Sequence, residues 1–215
     1  MLEARDLRWR VGDECKGPLS FMLRPREILV ISGRNGSGKS TLLDVISGFA
    51  SPLAGNLFLN GMQITSRPPW KRATYGLRRL LQTPPAPEPE LSVKAFLSIH
   101  AEVGTFGLFN SLTLTDRMKQ LISLLELDFA LSKPLSNLSY GSWRLIQIVA
   151  ILSLPRGILL LDEPFAGIDP RRKSIVLGEI QEYAKCGGCA VIATHPLDPV
   201  DDMASKSIEL SSDVN

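Results

Sequence analysis

The run Gly33-Arg34-Asn35-Gly36-Ser37-Gly38-Lys39-Ser40-Thr41 constrains this chain more than any other stretch. The apolar segment Ile28-Leu29-Val30-Ile31 leads into it, and Leu42-Leu43-Asp44-Val45-Ile46-Ser47-Gly48 leads out with helical character. The pattern G-x-x-x-x-G-K-[ST] thus stands between a strand and a helix, the setting its mechanism needs. Glycines at 33, 36 and 38 let the backbone turn successive N–H groups inward onto phosphate oxygens, and the helix N-terminus adds partial positive charge. On this reading Gly33, Asn35, Gly36, Ser37, Gly38 and Thr41 form a phosphate cradle. Lys39 reaches the β- and γ-phosphates, and the Ser40 hydroxyl is a ligand of the accompanying Mg²⁺. The plainer reading, a glycine-rich turn that binds nothing, leaves Lys39 and both hydroxyls without a purpose.

Two further apolar runs end on polar residues. Ile158-Leu159-Leu160-Leu161 reads as a buried parallel strand and delivers Asp162-Glu163. Ala190 to Thr194 reads the same way and delivers His195. In an open α/β sheet, ligands collect beyond the carboxyl ends of the strands, so these residues are expected near the P-loop. Asp162 would bind Mg²⁺ beside Ser40, and Glu163 would orient an attacking water.

Along the rest of the chain, Leu7, Trp9 and Val11 alternate as in a half-buried strand, and Leu19 to Leu23 and Glu27 to Ser32 read as further strands. Leu57-Phe58-Leu59 enters a tight turn at Asn60-Gly61. Prolines at 68, 69, 84, 85, 87 and 89 break up the region between Gly61 and Pro89, where Trp70 to Leu81 has room for one helix or strand. Ser92 and Thr115 are placed to cap helices, Ser142 to Leu154 reads as a buried helix, and Asp169-Pro170 starts another that runs to about Lys185. Asp198-Pro199 offers a short last helix, and Ser207 to Leu210 a last strand.

Composition closes off other classes. No apolar run is long enough to cross a membrane, and the charged opening Met1 to Asp6 does not suit a signal peptide, so a cytoplasmic protein is expected. The net charge of +2 argues against a nucleic-acid partner, and the short basic clusters Arg8 to Arg10, Arg78-Arg79 and Arg171-Arg172-Lys173 read as solvated faces. Cys186-Gly187-Gly188-Cys189 precedes a strand, whereas a redox pair opens a helix. With Cys15 as the one other cysteine, it reads as a structural turn.

Leu138-Ser139-Tyr140-Gly141-Ser142 resembles the L-S-G-G-Q signature of ABC-type ATPases. Gln82 in Leu80-Leu81-Gln82-Thr83 resembles their Q-loop, Ala166-Gly167-Ile168-Asp169 their D-loop, and Ala193-Thr194-His195 their switch histidine. The motifs occur in the family's order and the resemblance runs from the first strand to about Leu210. It implies an α/β P-loop NTPase with a RecA-like core, an N-terminal antiparallel β portion and an inserted α-helical subdomain. That makes one domain over 1–215, with 1–82 and 154–215 as core and 83–153 as the helical part. It also implies a head-to-tail dimer in which ATP on one P-loop is closed over by Ser139 and Gly141 of the other copy. Gln82 would sense the γ-phosphate and Mg²⁺, His195 would hold the γ-phosphate, Asp169 would link the two sites, and Trp9 would stack on adenine.

The departures are Tyr140 for the usual glycine, which is similar to branched-chain amino-acid importer cassettes, and Ser142-Trp143 where Gln and a polar residue are usual. Phe165 to Pro170 is similar to the lipopolysaccharide-exporter type, and Met1 to Leu7 to the haem-exporter type. The expected function is the MgATP-hydrolysing subunit of an ABC transporter, paired with a second ATPase subunit. It would be peripheral on the cytoplasmic face of the membrane, through integral membrane permease subunits. The alternatives are a soluble ABC-type assembly factor like those of iron-sulfur cluster biogenesis, and a non-hydrolysing ATP-gated module, which intact Glu163 and His195 disfavour.

Overall fold

A phase change in the first strand decides how the N-terminal sheet buries its apolar side chains. Strand β1 (Leu2–Val11) buries Leu2 and Ala4, then Leu7 and Trp9, because an irregularity between Ala4 and Leu7 shifts the register at Arg5-Asp6, with Asp6 at φ 47°. A bulge of this kind inserts a residue and restores the inward face. Strands β2 (Glu14–Leu23), β4 (Ala54–Leu59) and β5 (Met62–Gln63) complete an antiparallel sheet in the order β2-β1-β4-β5. Asn60 and Gly61, at φ 49° and 80°, both take the left-handed conformation of the β4–β5 hairpin turn, as the Asn-Gly pair predicts.

The second sheet is parallel. Strands β3 (Ile28–Gly33), β6 (Leu77–Leu80), β7 (Ile158–Asp162), β8 (Cys189–Thr194) and β9 (Lys206–Leu210) stand in the order β6-β7-β8-β3-β9. Strands β7 and β8 are buried throughout, as continuous apolar runs in a covered parallel sheet should be. Helix α1 (Lys39–Ser47) contributes Leu42, Leu43, Val45 and Ile46 to one core that also takes Leu2, Leu7, Trp9 and Leu57 from the first sheet and Leu29, Ile31, Leu160 and Val191 from the second. Gly48, at φ 89°, ends α1 at the predicted place. Between Pro69 and Leu80 the chain makes both a helix, α2 (Pro69–Thr74), and β6, where the sequence reading allowed for one element.

The computed structural model describes residues 1–82, 89–102, 113–195, 200 and 203–210. These fall into two compact units. The first comprises Met1–Gln82, Arg156–Glu163 and Gln181–Asn215 and holds both sheets. The second comprises Thr83–Pro155 and Pro164–Ile180, so it also takes in the segment after Glu163 that the sequence reading assigned to the core. Helices α3 (Val93–Glu102), α4 (Asp116–Leu124) and α5 (Tyr140–Leu152) belong to the second unit, and α6 (Pro170–Lys185) starts in it. Ser92 accepts from the Ala95 N–H, and Thr115 from the Met118 N–H, as their positions predict. Helix α5 begins at Tyr140, earlier than the apolar pattern indicates, because Ser139 caps it by accepting from the Ser142 N–H at 3.2 Å. The proposed last helix at Asp198-Pro199 and the proline-rich stretch just after Gln82 lie outside the described residues.

Candidate nucleotide and metal site

The site grows from the carboxyl ends of three adjacent parallel strands. Strand β3 runs into the loop that ends at Gly38, and Gly38 at φ 94° is the N-cap of α1 with no side-chain cap of its own. The first amide donors of α1 therefore have no side-chain acceptor at the cap, as an anion-binding helix start requires. Gly38 also packs closely on β1: a Cβ there would stand 2.6 Å from Val11 Cγ2 and 2.9 Å from Trp9 Nε1. At Gly33 a Cβ would meet the Ser37 hydroxyl at 2.5 Å. A cavity of about 170 Å³ lies in front of this loop, lined by Asn35, Gly36, Gly38, Lys39, Ser40 and Thr41 together with Val11, Gln82 and Glu163. Ser37 is buried behind it, and its hydroxyl has no hydrogen-bond partner among the described residues.

Lys39 is 5% exposed and folds back to donate to Gly33 O at 2.6 Å and Arg34 O at 3.0 Å. Burial lowers its pKa, and the negative charges of Glu163 and Asp162 oppose that shift. Its hydrogen bonds are to neutral carbonyls, weak partners for a buried ammonium that an anionic oxygen at the same loop could replace.

Ser40, Asp162 and Gln82 converge. The Ser40 hydroxyl stands 3.1 Å from Asp162 Oδ1 and 3.4 Å from Gln82 Oε1. Asp162 is 1% exposed, and its pKa is raised by burial against the pull of Arg79 and Ser40. The donors are all oxygen with a single carboxylate, which suits Mg²⁺, a cation that keeps several waters and takes its other ligands from phosphate. Among the described residues, no group of three or more His, Cys, Asp and Glu stands together as a metal site.

Glu163 follows with φ 43°, a left-handed conformation for a residue with a side chain, and its N–H is tied to Ala193 O at 2.9 Å. Such strain costs about 1–3 kcal/mol and collects at functional sites. Asp162 pairs with Ala193 across β7 and β8, so half-buried His195, just past the end of β8, emerges at the same edge of the sheet.

Two readings from the sequence need correcting. Trp9 does not offer a ring to a base: it is 1% exposed and sits in the core beneath Gly38. Its strand partner on the same face, Val11, lies at the cavity rim, since side chains two residues apart share a face and the outer one meets the ligand space. Arg79 does not lie on a solvated face: its side chain is 7% exposed and its Nη2 donates to Asp162 Oδ2 at 3.0 Å, Asp44 Oδ1 at 2.9 Å and Ser40 O at 3.2 Å. The sequence carries no local signal for this, because its carboxylate partners lie 35 and 83 residues away in the chain.

Ser139, Gly141 and Asp169 fall in the second unit. The Ser139 hydroxyl donates to the Ser142 hydroxyl at 2.9 Å. A Cβ on Gly141 would collide with Gly167 O, and one on Gly167, at φ 72°, would stand 2.7 Å from the Tyr140 ring, so the signature and D-loop segments are closely packed. Asp169 accepts from the Arg172 N–H at 3.0 Å, which lowers its pKa, and caps the start of α6. Cys186 is exposed and Cys189 buried, in line with a structural turn.

Residues 17–166 match the family model described as ABC transporter. The chain is 29% identical over 182 residues to a branched-chain amino acid transport ATP-binding protein of Archaeoglobus fulgidus, covering 80% of this chain and 70% of that protein. Against other curated relatives it spans from 32% to 65% of their length. Among solved structures, an ABC transporter ATP-binding protein from Pyrococcus furiosus superposes with a TM-score of 0.79 at 26% identity, covering 97% of this chain and 96% of that one. A dimeric bacterial ABC transporter cassette superposes at 0.83 with 18% identity, covering 98% and 94%, a likeness of fold. With a P-loop cradle, a buried strand-end carboxylate and a family match over most of its length, the chain belongs to the ABC transporter family, whose ATP-binding cassettes are ATPases.

Proposed function

We propose that the chain binds and hydrolyses MgATP as one of two cassettes that drive a transporter. The observation that carries this reading is the convergence of Ser40, Asp162 and Gln82 at the mouth of the loop that holds Lys39. In this mechanism Lys39 exchanges its carbonyl partners for the β- and γ-phosphate oxygens, and the amides of the loop and of the α1 start hold the remaining phosphate charge. Ser40, Gln82 and Asp162 would hold Mg²⁺, which would supply charge neutralisation for the phosphates. Glu163, placed by its tie to Ala193, accepts a proton from the attacking water and fixes its line of approach. His195 donates to the γ-phosphate from the neighbouring strand end. Val11 supplies an apolar edge against the base, in place of the aromatic ring expected at Trp9.

Ser139 and Gly141 would serve the partner's ATP, with Asp169 near the dimer axis. This accounts for an N-capped helix start at the signature segment. The transporter assignment, with membrane permease subunits as partners and a place at the cytoplasmic face, draws on the archaeal relative's description as a transport ATP-binding protein. Among the described residues no helix is long and apolar enough to cross a membrane, so attachment would come through those subunits.

The test is Glu163→Gln. The variant should bind ATP with near wild-type affinity, lose phosphate release by about 100-fold or more, and accumulate a dimer on gel filtration with ATP. Turnover at the wild-type rate would remove Glu163 from its role.

A further inference from the structure

Arg79 is a charged side chain at this site that the proposed mechanism leaves idle, and its geometry is unusual for a structural ion pair. Structural arginine–carboxylate clamps use two nitrogens in a fork. Here Nη2 alone serves Asp162 Oδ2, Asp44 Oδ1 and Ser40 O, while Nε and Nη1 are buried with no hydrogen-bond partner among the described residues. The guanidinium is therefore held through one nitrogen and can give up a single acceptor without breaking a second bond.

The two oxygens of Asp162 are divided. Oδ2 faces Arg79, and Oδ1 faces the Ser40 hydroxyl on the side of Gln82. Arg79 sits on β6 opposite Leu160 of β7, so the strand that leads to Gln82 also delivers a cation to the back of Asp162.

We propose that Arg79 is a resident counter-cation, a positioning residue that holds Asp162 in place without metal and makes divalent-cation binding depend on nucleotide. This rests on the reading of Asp162 as a metal-site carboxylate. A divalent ion arriving alone meets an Asp162 already paired with Arg79, at a site where Lys39 and Arg79 offset most of the charge of Asp44, Asp162 and Glu163, whereas one arriving on a triphosphate brings anionic oxygens of its own. Removing one fixed charge a few ångströms away in a partly buried site should change cation affinity by about tenfold or more.

The experiment is a Mn²⁺ titration of the nucleotide-free protein, followed by electron paramagnetic resonance, on wild type, Arg79→Gln, Arg79→Met and Arg79→Lys. Metal-free binding of a fluorescent ATP analogue in EDTA is measured in parallel. Wild type should bind Mn²⁺ weakly, on the order of millimolar. Arg79→Gln and Arg79→Met should bind it about tenfold tighter or more and lose metal-free nucleotide affinity by a similar factor, while Arg79→Lys stays near wild type. Glutamine keeps a donor and lysine keeps the charge, so the comparison separates charge from hydrogen bonding.

A folded Arg79→Gln within about twofold of wild type in Mn²⁺ affinity would overturn the proposal, as would an Arg79→Lys that tightens equally. Should neither neutral variant fold, wild type alone decides: micromolar Mn²⁺ binding without nucleotide overturns the proposal, and millimolar binding supports it. Asp162→Asn is the control for the underlying site. If it leaves ATP-assisted Mn²⁺ binding unchanged, the metal-site reading fails. If it abolishes that binding while Arg79→Gln has no effect, only the role of Arg79 fails.

Discussion

Gly38→Ala tests the junction of loop, helix and first strand at once. The residue is at φ 94°, where an L side chain costs about 1–2 kcal/mol. The added methyl would also stand 2.6 Å from Val11 Cγ2 and 2.9 Å from Trp9 Nε1, well inside ordinary contact. Val11 is half-buried and can turn aside, but Trp9 is fixed in the core, so overpacking adds about 1–3 kcal/mol. The sum, about 2–5 kcal/mol, corresponds to a fall in Tm of roughly 4–20 °C for a chain of this size. Because relief comes most easily by moving the start of α1 away from β1, ATP affinity should fall with stability. Calorimetry and equilibrium ATP binding measure the two effects. The double variant Val11→Ala with Gly38→Ala should recover part of both, a coupling of about 0.5–3 kcal/mol. A Gly38→Ala protein that melts within about 2 °C of wild type and binds ATP normally would refute the packing argument.

Arg72 is 1% exposed and donates to the carbonyls of Val45, Ile46, Thr65 and Arg67, which ties α2 to the C-terminal end of α1. Burial presses its pKa down to about 10, so some of the lost hydrogen bonding is offset by removing a desolvated charge. Arg72→Met should still lose about 2–4 kcal/mol in urea unfolding, and a loss below about 1 kcal/mol would show those carbonyls to be satisfied otherwise. Burial raises the Cys189 thiol to about 11, whereas Cys15 and Cys186 are exposed. A thiol reagent at pH 8 should therefore label two sites quickly and the third only on unfolding, and three fast thiols would contradict the buried placement. Burial works to raise the Glu27 pKa, but the Arg24 N–H and Lys206 outweigh it and hold it below its ordinary value. The stability this gives is present above the unfolded value near 4.5 and lost as pH falls through the folded value, so the advantage of wild type over Glu27→Gln should shrink below pH 4.5. An advantage that persists at pH 3 would contradict the sign.

Where a local rule and the tertiary packing agree, the sequence foretold the structure closely. Gly48 ends α1, Asn60-Gly61 makes the hairpin turn, and Ser92, Thr115 and Asp169 start helices, because each of these is decided by a few neighbouring atoms. The convergence of Ser40 with Asp162 could be anticipated because parallel strands end at one edge.

What could not be read was depth along a face. Trp9 and Val11 share a side of β1, and periodicity does not say which of them lies under Gly38 and which at the rim. For Arg79, a pair of adjacent arginines looks like surface until the carboxylates of Asp44 and Asp162, distant in sequence, are brought to it. The extra element between Pro69 and Leu80 was missed because a six-residue helix anchored by Arg72 owes little to intrinsic propensity.

The order of the two sheets has a consequence for how copies of this chain can meet. An open sheet has two edges whose unpaired backbone groups can template another strand and lead to aggregation. In the antiparallel sheet one edge, β2, carries Pro18 and Lys16, and the other, β5, is only two residues long. In the parallel sheet β6 is only four residues long, and β9 carries Lys206 and Glu209. Each edge is thus short, charged or broken by proline. Two such chains gain little by joining sheets, so contact between copies would fall to side-chain surfaces rather than to paired backbone.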